Sequence, residues 1–298
     1  MNTVNDAITK WIEGIPYEVA FWNNVYRWKH TRNGALAWSN FGKEIKLDGF
    51  DASAFLREHT NPLVIDVGCG MSYAPGNYLV ESGKLMPINI NYVDPLASYF
   101  NNIREKYRPD IPVITFGMME FLSAFYEANS VALVIIQNAL DHSADPMKGI
   151  YEALAILCDG GVLYLNHHPN EAVVERYKGF HQYNVMNETG KLIIWREDCR
   201  WDVAKELDGI ATVEVSDAAD GHVIAIIRKI SPVPECLLTA KADKRRLCEV
   251  IIAHQMTTMG VWRGLRPSLN YWKYNVVQFF IQALPWKLKM GLKHWLKR

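Results

Sequence analysis

The sequence predicts an α/β fold: a mostly parallel sheet covered on both faces by helices. Three observations lead there. Short continuous apolar runs recur at 63–67, 88–93, 112–116, 131–137 and 161–166, as strands of a buried parallel sheet require. Helix-like stretches separate them at 96–107, 118–127 and 146–158. The first run ends in Asp66-Val67-Gly68-Cys69-Gly70, where two residues without a Cβ let the backbone turn tightly and approach a ligand.

In chain order, residues 1–60 read as a helical N-terminal cap. Trp11, Ile12, Ile15, Val19, Trp22, Val25 and Tyr26 crowd at helical spacings, and the aromatics can also line part of a substrate pocket. Residues 61–231 form the alternating domain. Asp145-Pro146 supplies an N-cap and a first-turn proline, and Asp159-Gly160-Gly161 supplies a helix stop. Two apolar runs, 211–215 and 223–228, flank a Ser216–Gly221 turn and predict a hairpin that closes the sheet with an antiparallel strand. Lys191–Trp195 is a further short strand. Pro232 and Pro234 mark a boundary before a basic helical region, 232–298, with a helix over 241–259.

Composition narrows the function. With 298 residues, 49% of them hydrophobic, the chain can bury a large core. The formal net charge is zero, but from Lys241 onward twelve Lys/Arg stand against two Asp/Glu. A basic tail on an acidic body points to an anionic surface. No RNA-binding module is evident, so no nucleic-acid partner is expected. Five cysteines without a CxxC pair read as reduced thiols, and the N-terminus has no signal-peptide pattern, so a cytoplasmic location is expected.

The glycine turn defines the ligand. A dinucleotide site needs a third glycine, and position 73 is Tyr. Asp66 would repel a pyrophosphate and favour a cationic group. Asp94, at the end of the next strand in Tyr92-Val93-Asp94-Pro95, can accept both hydroxyls of a ribose. Together Val64-Ile65-Asp66-Val67-Gly68-Cys69-Gly70 and Asp94 resemble the class I S-adenosylmethionine-dependent methyltransferases, over roughly residues 60–166. The resemblance implies a Rossmann-like sheet with an antiparallel last strand and S-adenosylmethionine as cofactor. It places Asp66 near the methionyl end and Asp94 and Pro95 at the ribose, with Gly68, Cys69 and Gly70 forming the turn. Met119 and Glu120 stand where the family puts an adenine contact, although Gly117-Met118 replaces the usual Gly-Asp. Asn138 is the polar end of the fourth strand.

Downstream, His, Asn and Gln concentrate where an acceptor would sit. Asp141 and His142 follow the fourth strand; His167, His168, Asn170 and Glu171 follow the fifth; His181 and Gln182 come next. An alcohol is a poor nucleophile until a base takes its proton. His142 is therefore the first candidate base, with Asp141 orienting it and His168 as the second. Since neighbouring strand residues alternate, one of His167 and His168 faces the core. His167, Asn170, Glu171, His181 and Gln182 are candidate acceptor ligands, or residues that simply stabilise the loops. Asp141, His142, His168, Glu171 and His181 are plausible metal-ligand types, but magnesium prefers carboxylates and waters to imidazoles and no tight ligand motif is present, so no metal is expected. These loops resemble those of methyltransferases of bacterial surface-polysaccharide biosynthesis, which implies an O-methyltransferase acting on a saccharide or glycolipid hydroxyl. Another small-molecule acceptor, or a non-catalytic cofactor-binding or membrane-adaptor role, satisfies the same motifs. Leu288, Leu292 and Trp295 share one face of a basic helix over 286–298, suited to the inner face of the cytoplasmic membrane or to packing on the domain.

Overall fold

The computed structural model describes residues 3–29, 31–33 and 39–240, with Val276, Phe280 and Leu284 isolated beyond them. Helix α1 spans Thr3–Arg27. Its buried Trp11, Ile15, Trp22, Val25 and Tyr26 pack against Cys69, Met71, Tyr73, Leu96 and Phe100. The Tyr26 hydroxyl donates to the Met71 carbonyl at 2.6 Å. The predicted cap is thus partly helical. Residues 39–51 are irregular, held by isolated bridges Glu44↔Tyr78 and Leu47↔Phe50. Asp51 then caps the short α2 (Ala52–Arg57) by accepting from the Ala54 N–H.

The central sheet has seven strands. Its parallel part comprises β1 (Leu63–Val67), β4 (Asn89–Asp94), β5 (Thr115–Phe116), β6 (Val131–Gln137) and β7 (Leu157–His167). A small exposed hairpin, β2 (Tyr78–Glu81) with β3 (Lys84–Pro87), interrupts the sequence. Strands β11 (Ala211–Asp217) and β12 (Val223–Lys229) pair antiparallel, and β12 lies antiparallel on β7. The order is β11-β12-β7-β6-β1-β4-β5. Only β12 runs against the rest, which is the Rossmann-like class I methyltransferase arrangement. Strand order reverses between β1 and β6, and ligands bind beyond the carboxyl ends of the strands at such a point.

Helices α3 (Ala97–Tyr107) and α4 (Pro146–Ile156) cover the sheet. Asp145 caps α4 through the Lys148 N–H, and Pro146 begins it, as the sequence predicts. Three elements differ from expectation. The 112–116 run keeps only two residues as strand. The 118–127 stretch is a 3-10 segment, Met119–Ala124, broken at Phe121, whose φ of −154° is not helical. Asp159-Gly160-Gly161 is not a helix stop. α4 ends at Ile156, and the chain continues directly as β7 with a register shift opposite Val131/Leu133 and Gly160 at φ +73°.

A second sheet, β10-β9-β8, is built from β8 (Asn184–Glu188), β9 (Lys191–Arg196) and β10 (Cys199–Asp202). Short helices α5 (Glu171–Val174) and α6 (Val203–Glu206) flank it. Beyond Pro234 the chain folds back. Buried Glu152 accepts from the Ser123 and Thr239 N–H groups, so residues 232–240 stay with the core. Cys69, Cys158, Cys199 and Cys236 are free. Among the described residues no helix is long and apolar enough to cross a membrane. The helices expected at 241–259 and 286–298 lie outside the described residues.

Candidate functional site

The carboxyl end of β1 carries the first half of the site. Gly68 and Gly70 have φ of +65° and +52°, the left-handed region that a side chain strains. Gly68 also has no room: a Cβ there would lie 2.5 Å from the Ala139 Cβ, so the turn after β1 touches the turn after β6. The Gly68 and Cys69 N–H groups both donate to the Val93 carbonyl. Asp94, at the end of β4, accepts from the Gly70 N–H through Oδ2 (3.0 Å) and from the Leu96 N–H through Oδ1 (2.8 Å). One carboxylate thereby fixes the glycine turn and the start of α3.

Asp66 is 2% exposed, and its Oδ2 has no hydrogen-bond partner. Burial, helped by the negative Asp94, pushes its carboxyl up to about 8. Burial also lifts Asp94 to about 7, against its two N–H donors. Two acids this poorly solvated call for a cationic or donor-rich ligand. The orphaned Asp66 oxygen, the ribose-type acid at β4 and the glycine turn fit S-adenosylmethionine, which has a sulfonium, an amino group and ribose hydroxyls. Cys69 is buried beside them, its thiol raised by burial.

The second half follows β6. Leu140–His142 form one 3-10 turn, closed by the His142 N–H to the Ala139 carbonyl. The Gln182 and Tyr183 N–H groups donate to the Asp141 carbonyl at 3.0 and 3.3 Å, which brings the 180 loop onto this turn. Asp141, His142 and His181 then meet. His181 Nδ1 lies 2.8 Å from Asp141 Oδ2 and 3.1 Å from His142 Nε2. His142 Nε2 is 3.5 Å from the same carboxylate oxygen. Burial alone would raise Asp141, but His142 and His181 outweigh it and hold the carboxyl at about 2. Burial opposes charge on His181, yet Asp141 raises it overall. The side chains of His142 and His181 are 21% and 28% exposed, so the cluster opens to solvent.

Of the two residues ending β7, His167 is the buried one. Burial drops its imidazole to about 4, and Nε2 has no partner. His168 is exposed and rests edge-on against His222 at 3.9 Å, not in the Asp141 cluster. Several expected ligand-binding side chains serve the loops instead. Asn138 accepts from the His168 N–H, Asn170 from the Trp195 indole, and Gln182 donates to the Gly179 carbonyl. Glu120 is buried and accepts from the Ala144 and Asp145 N–H groups, which ties its carboxylate to the start of α4. Met119 packs between Gly68 and Gly149 in the core. Pro95 precedes α3 by one residue. Glu171 opens α5 near His181, whose imidazole it helps to raise.

No protein-family model matches the chain, and no curated protein is similar to it. Solved structures are. A 16S rRNA methyltransferase of T. thermophilus, in complex with AdoMet and guanosine, is 13% identical, with 66% of this chain and 43% of that chain covered at a TM-score of 0.35. This chain thus spans less than half of that protein. A methyltransferase from Haloferax volcanii, in complex with a methyltransferase activator, is 17% identical, covering 68% and 90% at 0.40. A SAM-dependent methyltransferase from Aquifex aeolicus is 13% identical, covering 61% and 90% at 0.36. The fold is that of class I methyltransferases. The strand order and the single reversed strand carry that assignment, rather than these distant likenesses.

Two residues on α1 join the site without a motif to announce them. The Trp22 indole covers Gly70, where a Cβ would lie 2.9 Å from the ring. Its Nε1 donates to Glu18 at 2.8 Å, and Glu18 is close enough to both Asp94 and His181 to raise their pKa values. Glu18 therefore adds negative charge to both halves. The only sequence signal is the four-residue spacing of Glu18 and Trp22 on one helical face.

Proposed function

We propose that this chain is an S-adenosylmethionine-dependent O-methyltransferase whose acceptor is a saccharide hydroxyl. The observation that carries the reading is the adjacency of the two halves. The acid-lined glycine turn of β1 packs directly on the turn that presents Asp141 and His142, with Ala139 against Gly68. When bound, the cofactor supplies a methyl group on a positively charged sulfur. Asp66 would hold its cationic end and Asp94 its ribose.

The chain's own task is to orient the acceptor and move one proton. His142 takes the proton from the hydroxyl while the oxygen gains the methyl group. The positive charge that results on the imidazole is offset by the Asp141 carboxylate, 3.5 Å from His142 Nε2. His181 holds that carboxylate in place at 2.8 Å. Partial exposure of both imidazoles suits a polar acceptor entering from solvent. The basic 286–298 segment supports an acceptor carried on a lipid at an anionic membrane surface.

The reading is tested by replacing His142 with Ala. General base catalysis contributes roughly 10²–10⁴-fold, so turnover with a saccharide acceptor should fall by about that much while calorimetric binding of S-adenosylhomocysteine stays intact. Unchanged turnover would remove His142 as the base. Failure of the wild-type chain to bind S-adenosylhomocysteine would remove the methyltransferase reading altogether.

A further inference from the structure

We propose that Asp141, His142 and His181 form a binding site for a divalent first-row transition ion, of the zinc or ferrous type rather than magnesium. Three donor atoms converge on one point: Asp141 Oδ2, His142 Nε2 and His181 Nδ1, separated by 2.8, 3.1 and 3.5 Å. An ion at about 2.0–2.1 Å from each of three donors puts neighbouring donors roughly 2.8–3.4 Å apart in octahedral or tetrahedral geometry. The observed separations bracket that range, and all the ligand atoms lie within 4.8 Å of one another.

Proton accounting favours a cation at that point. A neutral His181 that donates from Nδ1 to Asp141 has spent the only proton on that nitrogen. A second proton, on His142 Nε2, would confront the first across 3.1 Å. So three lone-pair atoms share one proton. An ion in the middle satisfies all three at once. Two imidazoles with one carboxylate suit zinc, iron or cobalt, whereas magnesium takes oxygen ligands and water. Three protein ligands and a solvent-open face are also the pattern of a catalytic rather than a closed structural site.

The scaffold is fixed before any ion arrives. Asp141 and His142 occupy a single 3-10 turn, braced by the Ser143 hydroxyl on the Leu140 carbonyl. His181 is brought to them by two N–H bonds to the Asp141 carbonyl, and Phe180 beside it stacks on Trp11 at 5.1 Å. Preorganised ligands of this kind are what metal sites need. Sequence spacing gives no warning, because His181 lies 39 residues after His142 and only the fold joins them.

The role of the ion rests on the methyltransferase reading, but its binding does not. In the loaded protein the cation takes the place of the shared proton and His142 is a ligand, its role as base being confined to the ion-free protein; the positive charge would then acidify an acceptor hydroxyl held at the open face, whose proton leaves to solvent through that face.

The test uses the full chain, stripped with chelator and titrated with Zn²⁺, Co²⁺ and Mg²⁺ by calorimetry and, for cobalt, by visible absorption. One equivalent of zinc or cobalt should bind, with magnesium far weaker. His181→Ala and Asp141→Asn should each weaken binding by more than the roughly 10–100-fold that loss of a supporting hydrogen bond costs. His142→Ala, at the other partly exposed imidazole of the cluster, serves if either variant does not fold. No binding, or binding that survives these substitutions, overturns the proposal. S-adenosylhomocysteine titrations on the same samples separate the two readings: metal bound without cofactor sinks the methyltransferase, and cofactor bound without metal sinks the ion site.

Discussion

Asp66 and Asp94 hold protons at pH values where carboxyls are ordinarily charged, with values of about 8 and about 7. Their folded values lie above their unfolded ones, so between these limits the folded state binds more protons than the unfolded. Their contribution to stability is complete below about pH 4 and is lost as pH rises through 7 and 8, at up to about 1.4 kcal/mol per pH unit for each carboxyl. Without cofactor, the denaturant midpoint should therefore fall from about pH 4 and level off above about pH 8, and Asp66→Asn should flatten that decline. Cofactor binding should show the opposite slope. A cationic ligand favours ionised Asp66, so affinity for S-adenosylmethionine should tighten across the same range, and calorimetry in buffers of different ionisation enthalpy should detect a released proton. A pH-independent affinity would mean that Asp66 does not face the cationic end. Asp94→Ala removes the ribose acceptor and leaves the Gly70 and Leu96 N–H groups unpaired in the interior, at about 1–3 kcal/mol for each buried donor left unsatisfied. It should abolish S-adenosylhomocysteine binding and lower the melting temperature. These acids were legible because strand end, acid and glycine form one local pattern. The polar cluster downstream was legible only as a concentration of residue types. Asn170, Gln182 and Glu120 look like ligand-binding groups in sequence, but the backbone donors and acceptors of their loops need partners, and these side chains supply them.

At the scale of elements, the turn after β1 is built against the turn after β6. Gly68→Ala would push a methyl group into Ala139 while holding a positive φ. Overpacking of this kind costs about 1–3 kcal/mol, with backbone strain added, and the loss should appear as a lower denaturant midpoint with cofactor affinity reduced in parallel. The long core strands and the β11–β12 hairpin could be read from apolar runs because burial on both faces leaves an unambiguous pattern. Strands β2, β3, β8 and β10 could not. The β3 residues are all exposed, and β8 and β10 carry polar residues whose pairing is decided by β9 between them. The Asp159–Gly161 signal misled because Leu157 pairs with Val131, so the sheet claims the segment that the glycines would otherwise release.

Over the whole molecule, charge is divided sharply along the sequence. Residues 1–240 carry the acidic excess, and the residues from Lys241 onward carry ten net positive charges. Deleting 286–298 should cut retention on vesicles of anionic lipid while leaving S-adenosylhomocysteine affinity within about twofold, since the residues proposed for the cofactor, from Trp22 to Asn138, are all retained. Equal retention of both forms would leave the segment as packing on the domain.

The indole of Trp22 lies over Gly70, at the point where a cofactor must approach the backbone. Any occupant of that turn changes the surroundings of one aromatic ring anchored by Glu18. The protein thus carries its own optical gauge. Occupancy should alter tryptophan emission without an added label, and Trp22→Phe should silence that change while the other nine tryptophans stay in place. The first helix would then serve as the place from which filling of the site is watched in real time.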